Sequence, residues 1–85
     1  MKNTKLIIVV PCYNEEEVLQ ETTRQLSTVL SGMEQEGTIT EGKLLYVDDG
    51  SRDATWHIIE QLSTETPRVM GLKLADNVAH QQALW

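Results

Sequence analysis

Short unbroken apolar runs alternate along the chain with longer stretches whose apolar residues recur every three or four positions. The first run is Leu6-Ile7-Ile8-Val9-Val10. Unbroken rather than alternating hydrophobicity predicts a strand covered on both faces, as in a parallel sheet. Pro11 has no amide to give a ladder, so the strand is expected to stop there. Asn14-Glu15-Glu16-Glu17 then opens a helix, with Asn14 as N-cap and Glu17 completing a capping-box pattern. Val18, Leu19, Thr22, Leu26, Val29, Leu30 and Met33 form one apolar face over about five turns. Gly32 and Gly37 bracket the end of that helix, and Thr38 to Gly42 is a polar connection.

Lys43–Val47 is the second strand, running into Asp48-Asp49-Gly50. Ser51 or Asp53 caps a second helix that turns Ala54, Ile58, Ile59 and Leu62 inward. Pro67 ends that region, and Arg68 to Leu74 is a third strand interrupted by Gly71. Asp76-Asn77 makes a turn, and Ala79–Trp85 starts a third helix. The order is β-α-β-α-β-α, which predicts an α/β chain with a parallel sheet, right-handed crossovers and helices on both faces. Residues 1–85 read as one unit with no repeat or linker. The ending Ala83-Leu84-Trp85 carries no C-cap signal, so the unit is expected to be an incomplete domain.

Composition narrows the function. Two Trp, two Tyr and no Phe make the core aliphatic. A net charge of −6 with scattered Lys and Arg argues against nucleic-acid binding, which needs a basic surface. The lone Cys12 cannot form an internal disulfide and fits a reducing, cytoplasmic setting. Leu6–Val10 is too short for a membrane span or a signal-peptide core.

Parallel strands bring their carboxyl ends to one edge, where ligands of such sheets bind. Pro11-Cys12-Tyr13-Asn14-Glu15, Asp48-Asp49-Gly50-Ser51 and Asp76-Asn77 therefore converge. They offer a flat ring at Tyr13, acceptors at Glu15, Asp48 and Asp49, and helix amino termini that can face phosphates. These parts suit a nucleoside. Plainer roles weigh against some of them. Asp53 reads as a cap, Glu16 and Glu17 as a solvated first turn, Cys12 as a small structural residue, and His57 as surface. His80 can face the site or not, while Trp56 and Trp85 read as packing. Adjacent Asp48 and Asp49 repel each other and so call for a function. No GxGxxG, P-loop, Ser-His-Asp or HExxH pattern is present.

Two segments together, Val9-Val10-Pro11-Cys12-Tyr13-Asn14-Glu15-Glu16 and Tyr46-Val47-Asp48-Asp49-Gly50-Ser51-Arg52-Asp53-Ala54-Thr55, resemble the start of a family 2 inverting glycosyltransferase. Leu74 to Leu84 resembles the third strand-to-helix turn of that family's polyprenyl-phosphate group, with Ala79 where the pattern usually has glycine. That group includes the dolichol-phosphate mannosyltransferases and the bactoprenol glucosyltransferases. The resemblance implies a GT-A fold, here the truncated nucleotide-binding half of a Rossmann-like three-layer sheet. It implies that Pro11, Tyr13 and Glu15 border the nucleoside of a UDP- or GDP-sugar, that one or both of Asp48 and Asp49 bond base or ribose, that Gly50 and Ser51 shape the turn, and that Asn77 closes the pocket. It implies an acceptor that is a lipid-linked phosphate, a role in envelope glycan synthesis, and a full-length protein at the cytoplasmic face of the membrane. A divalent metal, Mg2+ or Mn2+, its DxD ligands and the catalytic base are implied to lie beyond Trp85. The 85-residue chain then carries no catalytic or metal residue and is expected to be inactive alone. Its open sheet edge exposes it to self-association. The alternatives are a receiver-type signalling domain and a non-catalytic nucleotide-binding module.

Overall fold

A computed structural model describes residues 3–74. The expected turn at Asp76-Asn77, the helix over Ala79–Trp85 and the residues Asn77, His80 and Trp85 lie outside the described residues. The elements are β1 (Lys5–Cys12), α1 (Leu19–Gln35), β2 (Glu41–Asp48), α2 (Thr55–Glu65) and β3 (Val69–Lys73). The three strands are parallel in the order β1-β2-β3. Cys12 pairs with Asp48, and Asp48 with Lys73, so the carboxyl ends share one edge. This is the alternating parallel α/β, Rossmann-like order expected from the sequence, but among the described residues the two helices share one face instead of covering both.

Each crossover steps to the next strand in the same direction, so right-handed connections bring α1 and α2 to the same face. Leu6, Ile8, Val10 and Cys12 of β1 pack toward that side with Leu44 and Tyr46 of β2. The opposite side is open among the described residues: Ile7 and Val9 are more than half exposed. Val9, Pro11, Leu45, Val47 and Leu72 line an apolar groove of about 400 Å3 there. The unbroken apolar run of β1 therefore alternates in burial within residues 3–74. Both strands extend past their expected ends, β1 through Pro11 and β2 through Asp48. Pro11 is accommodated because, among the described residues, β1 is an edge strand with one side of its ladder unpaired.

The α1 start differs from the expectation. The helix begins at Leu19, its cap position is Val18, and no side chain caps it. Its core stripe is Leu19, Thr23, Leu26, Leu30 and Met33, while Val18 and Val29 are exposed. Thr23 faces inward because Tyr46 is fully buried and its hydroxyl needs a partner. Thr23 donates to the Leu19 carbonyl at 2.9 Å, which leaves its oxygen to accept from Tyr46.

Two strand glycines let the helices settle. Leu30 lies over Gly42, and Ile59 lies over Gly71. At the amino edge Arg68, the residue before β3, clamps α1 to β2. Its guanidinium donates to both Glu34 carboxylate oxygens at 3.2 and 3.1 Å, to the Gly42 carbonyl at 3.0 Å and to Ser31 Oγ at 3.3 Å. Glu34 also accepts the Gly42 amide at 2.8 Å. Arg68 and then that amide hold the Glu34 carboxyl below its ordinary value.

Candidate functional site

The carboxyl edge is built from two loops, residues 13–18 after β1 and 49–54 after β2. They are laced together by reciprocal hydrogen bonds. The Asn14 amide donates to Ser51 Oγ at 2.9 Å, and the Arg52 amide donates back to Asn14 Oδ1 at 2.9 Å. The Glu15 amide donates to Thr55 Oγ1 at 2.7 Å. The Ala54 amide donates to Glu16 Oε1 at 2.7 Å, and the Glu16 amide reaches Asp53 Oδ2 at 3.4 Å. Below them the Asp49 amide donates to the Cys12 carbonyl at 3.0 Å. Asn14 has φ 52° and Gly50 has φ 76°. Glycine takes that left-handed backbone freely, and Asn is among the few other residues that tolerate it.

The lacing assigns roles that differ from the expected ones. Asn14 is a left-handed corner rather than a helix cap. Glu16 is exposed, as expected, but it lies before α1 rather than in its first turn and accepts the Ala54 amide at the start of α2. The cap position of α2 is Ala54, and Asp53, one residue before it, accepts the Thr55 amide at 2.9 Å and its hydroxyl. Burial works to raise the Asp53 carboxyl, but its hydrogen bonds from Thr55 and the Glu16 amide outweigh that and hold it below the ordinary range. The amino end of α2 is thus occupied by two carboxylates of the chain itself. A phosphate placed there would meet like charge, so this helix end does not serve a diphosphate. An open cleft of about 320 Å3 beside it is lined by Asn14, Glu15, Glu16, Glu17, Val18 and Asp53, and is acidic for the same reason.

The acid pair divides. Asp48 is fully buried on the helix-covered face, and neither carboxylate oxygen has a hydrogen-bond partner among the described residues. Asp49, one residue on, is exposed. Tyr13 is 52% exposed and Pro11 is exposed, while Glu15 is half-buried. Five of the six expected nucleoside residues therefore share the carboxyl edge, with the Tyr13 ring and the Asp49 carboxylate free to meet a ligand. Trp56 packs beside Gly71 and carries Lys73 over its ring at 5.8 Å, and His57 is exposed, both as expected.

Cys12 lies beneath the site, almost fully buried. Burial first, then the negative charges of Glu15 and Asp48, push its thiol up to about 11 from 9.0. The folded thiol thus ionises later than the unfolded one. Stability from the neutral thiol is whole below pH 9.0 and is lost as pH rises through about 11. The expected outcome is alkylation by iodoacetamide at pH 8 that is on the order of 100-fold slower than for an unperturbed thiol, reaching the free-thiol rate in denaturant. Free-thiol reactivity in the folded chain would contradict this.

Acid-rich β-α-β-α chains include receiver-type domains, but those need their acid pair after the first strand. Here β1 runs through Pro11 and Cys12 and passes directly into Tyr13-Asn14, with no acid at that junction. Comparison with known proteins agrees with the other resemblance. The family model described as glycosyl transferase family 2 matches residues 7–84. An uncharacterised glycosyltransferase of Bacillus subtilis, YkoT, is 55% identical over 80 residues, covering 93% of this chain and 24% of that protein. A prophage bactoprenol glucosyl transferase homolog of Escherichia coli is 32% identical over 84 residues, 95% of this chain and 25% of its own length. A dolichol-phosphate mannosyltransferase of Pyrococcus furiosus is 33% identical over 63 residues, 74% of this chain and 16% of its own. The chain spans about a quarter of the length of the first curated relatives it matches. On the family match and these identities, the chain belongs to glycosyl transferase family 2.

Proposed function

We propose that this chain holds the nucleoside of a nucleotide-sugar donor in a protein that transfers the sugar to a lipid-linked phosphate. The observation that carries the reading is the exposed Tyr13 and Asp49 side chains on two loops laced together at the carboxyl edge. The Tyr13 ring packs on the base, with Pro11 and Glu15 bordering it. Asp49 accepts from a base N–H or a ribose hydroxyl. Asp48 shapes the turn from below, and Asn77 closes the far side. UDP- and GDP-sugars both fit this chemistry.

Transfer proceeds in one displacement with inversion. An acceptor oxygen attacks the anomeric carbon from the side opposite the nucleoside diphosphate, and the bond from that carbon to the diphosphate breaks. A phosphate acceptor attacks as an anion; a hydroxyl acceptor needs a carboxylate base. The bactoprenol and dolichol-phosphate names of relatives support polyprenyl phosphate as acceptor; the reading extends from there to work at the cytoplasmic face of a membrane in making envelope glycans. No helix of the described residues is long and apolar enough to cross a membrane. A divalent metal, Mg2+ or Mn2+, supplies charge neutralisation for the diphosphate when bound. The described residues contain no group of three ligands for it, and Asp48 is buried away from exposed Asp49. The described residues do not fit such an ion; the family resemblance is what assigns its ligands and the base to a longer protein, and no step here runs through the metal. The open edge of β1, flanked by exposed Ile7 and Val9, supports self-association of the chain.

Saturation-transfer NMR of UDP and GDP against the chain tests the reading. Saturation of base and ribose protons by one of the two is expected, with no sugar transfer by the 85-residue chain alone. No saturation with either nucleotide, or measurable transfer, would contradict it.

A further inference from the structure

Asn14 binds nothing in the reading above, yet it is the residue on which the two loops turn. Its amide and its side chain engage the same partner loop in opposite senses, one donating to Ser51 and the other accepting from Arg52. Its left-handed φ of 52° sets the direction in which the chain leaves Tyr13. On the other loop, its partners follow Asp49 by two and three residues, across the left-handed Gly50. A third bond, from the Asp49 amide to the Cys12 carbonyl, closes the frame from below. The exposed ring and the exposed carboxylate are therefore bracketed by bonds on both sides. Neither the Tyr13 hydroxyl nor the Asp49 carboxylate has a hydrogen bond or ion pair of its own among the described residues.

We propose that Asn14 is a positioning residue that fixes the Tyr13 ring relative to the Asp49 carboxylate, and so sets how tightly the nucleoside is held. This rests on the nucleoside reading given above. Two properties of Asn14 are separable. One is tolerance of the left-handed backbone, which glycine also has. The other is the acceptor for the Arg52 amide, which glycine lacks and Asp keeps. If Asn14 only permitted the turn, glycine would serve as well. If it positions, the acceptor is needed.

The test titrates UDP, GDP, UMP and GMP against the 85-residue chain by NMR, at a temperature where circular dichroism shows each variant folded. Asn14→Asp is expected to bind within about threefold of the unaltered chain. Asn14→Gly is expected to lose about tenfold, and Asn14→Ala at least as much. The loss should be the same factor for the monophosphate as for the diphosphate, because the defect lies at the nucleoside. Ser51→Ala removes only the acceptor of the Asn14 amide and should lose about threefold; it decides the matter if the Asn14 variants do not fold. Folded Asn14→Gly binding as tightly as the unaltered chain, or a loss confined to the diphosphates, would overturn the positioning role alone. No binding of any nucleotide by the unaltered chain would overturn the nucleoside reading, and this proposal with it.

Discussion

Valine in place of Gly71 is expected to lower the stability of the fold by about 3 kcal/mol, toward the upper end of what overpacking costs. The backbone at Gly71 is ordinary strand, so the penalty is steric rather than conformational. A Cβ built there would lie 2.5 Å from Ile59 Cγ2 and 3.4 Å from two atoms of the Trp56 ring. Ile59 is fully buried and cannot retreat, so α2 must lift from β3. A small domain holds only about 5–10 kcal/mol in total, and the loss corresponds to a melting point lower by roughly 10–20 °C. Gly32→Ala is the internal contrast. It lies within α1 with nothing within 4 Å of an added Cβ, and should be neutral or stabilising by up to about 1 kcal/mol. Thermal melts followed by circular dichroism read both. Equal melting points for Gly71→Val and the unaltered chain would mean that α2 does not rest on β3 as described.

Asp48 and Asp49 are expected to separate on mutation in opposite directions. Asp49→Ala should weaken nucleotide binding at least about tenfold, the worth of a charge-assisted hydrogen bond, and leave the melting point nearly unchanged because the side chain is exposed. Asp48→Asn should raise stability by about 1–2 kcal/mol, because a buried carboxylate without hydrogen-bond partners among the described residues is costly and an amide of the same shape is less so. Asp48→Asn is thus expected to gain stability, where Asp49→Ala is expected to lose affinity. The pair is read by melting and by titration on the same preparations. A stabilising Asp49→Ala, or a destabilising Asp48→Asn that keeps full affinity, would reverse the assignment.

Much of this was legible from the residues. The β-α-β-α-β order, the parallel sheet and the convergence of Tyr13, Glu15 and Asp49 at one edge follow from apolar runs alternating with helical spacing. Gly71 weakened the case for β3 in sequence because propensity counts only the strand; Ile59, twelve positions earlier, supplies the reason for the glycine. Thr22 and Thr23 are equally polar, so composition alone does not say which of them faces inward. The strict spacing of Leu19, Thr23, Leu26, Leu30 and Met33 carries the signal, as does the need of buried Tyr46 for a partner. Asn14 and Glu16 were misplaced for a different cause. A polar residue before acids has the same local pattern whether it caps its own helix or clasps a neighbouring loop. The distinction lies in contacts across nearly forty residues, such as Asn14 with Arg52 and Glu16 with Ala54, which no local window contains. The division of Asp48 from Asp49 was open in sequence, although strand alternation implies that two adjacent side chains face opposite ways.

The central claim is that the laced loops at the carboxyl edge hold a nucleoside. Two-dimensional 1H–15N NMR of the chain titrated with UDP and, separately, GDP tests it most directly. The account predicts saturable shifts at the amides of Tyr13, Asn14, Asp49, Gly50 and Ser51 with one nucleotide, and none at the amino edge around Gly37, Gly42 and Arg68. Shifts centred on the amino edge, or none with either nucleotide, would contradict it.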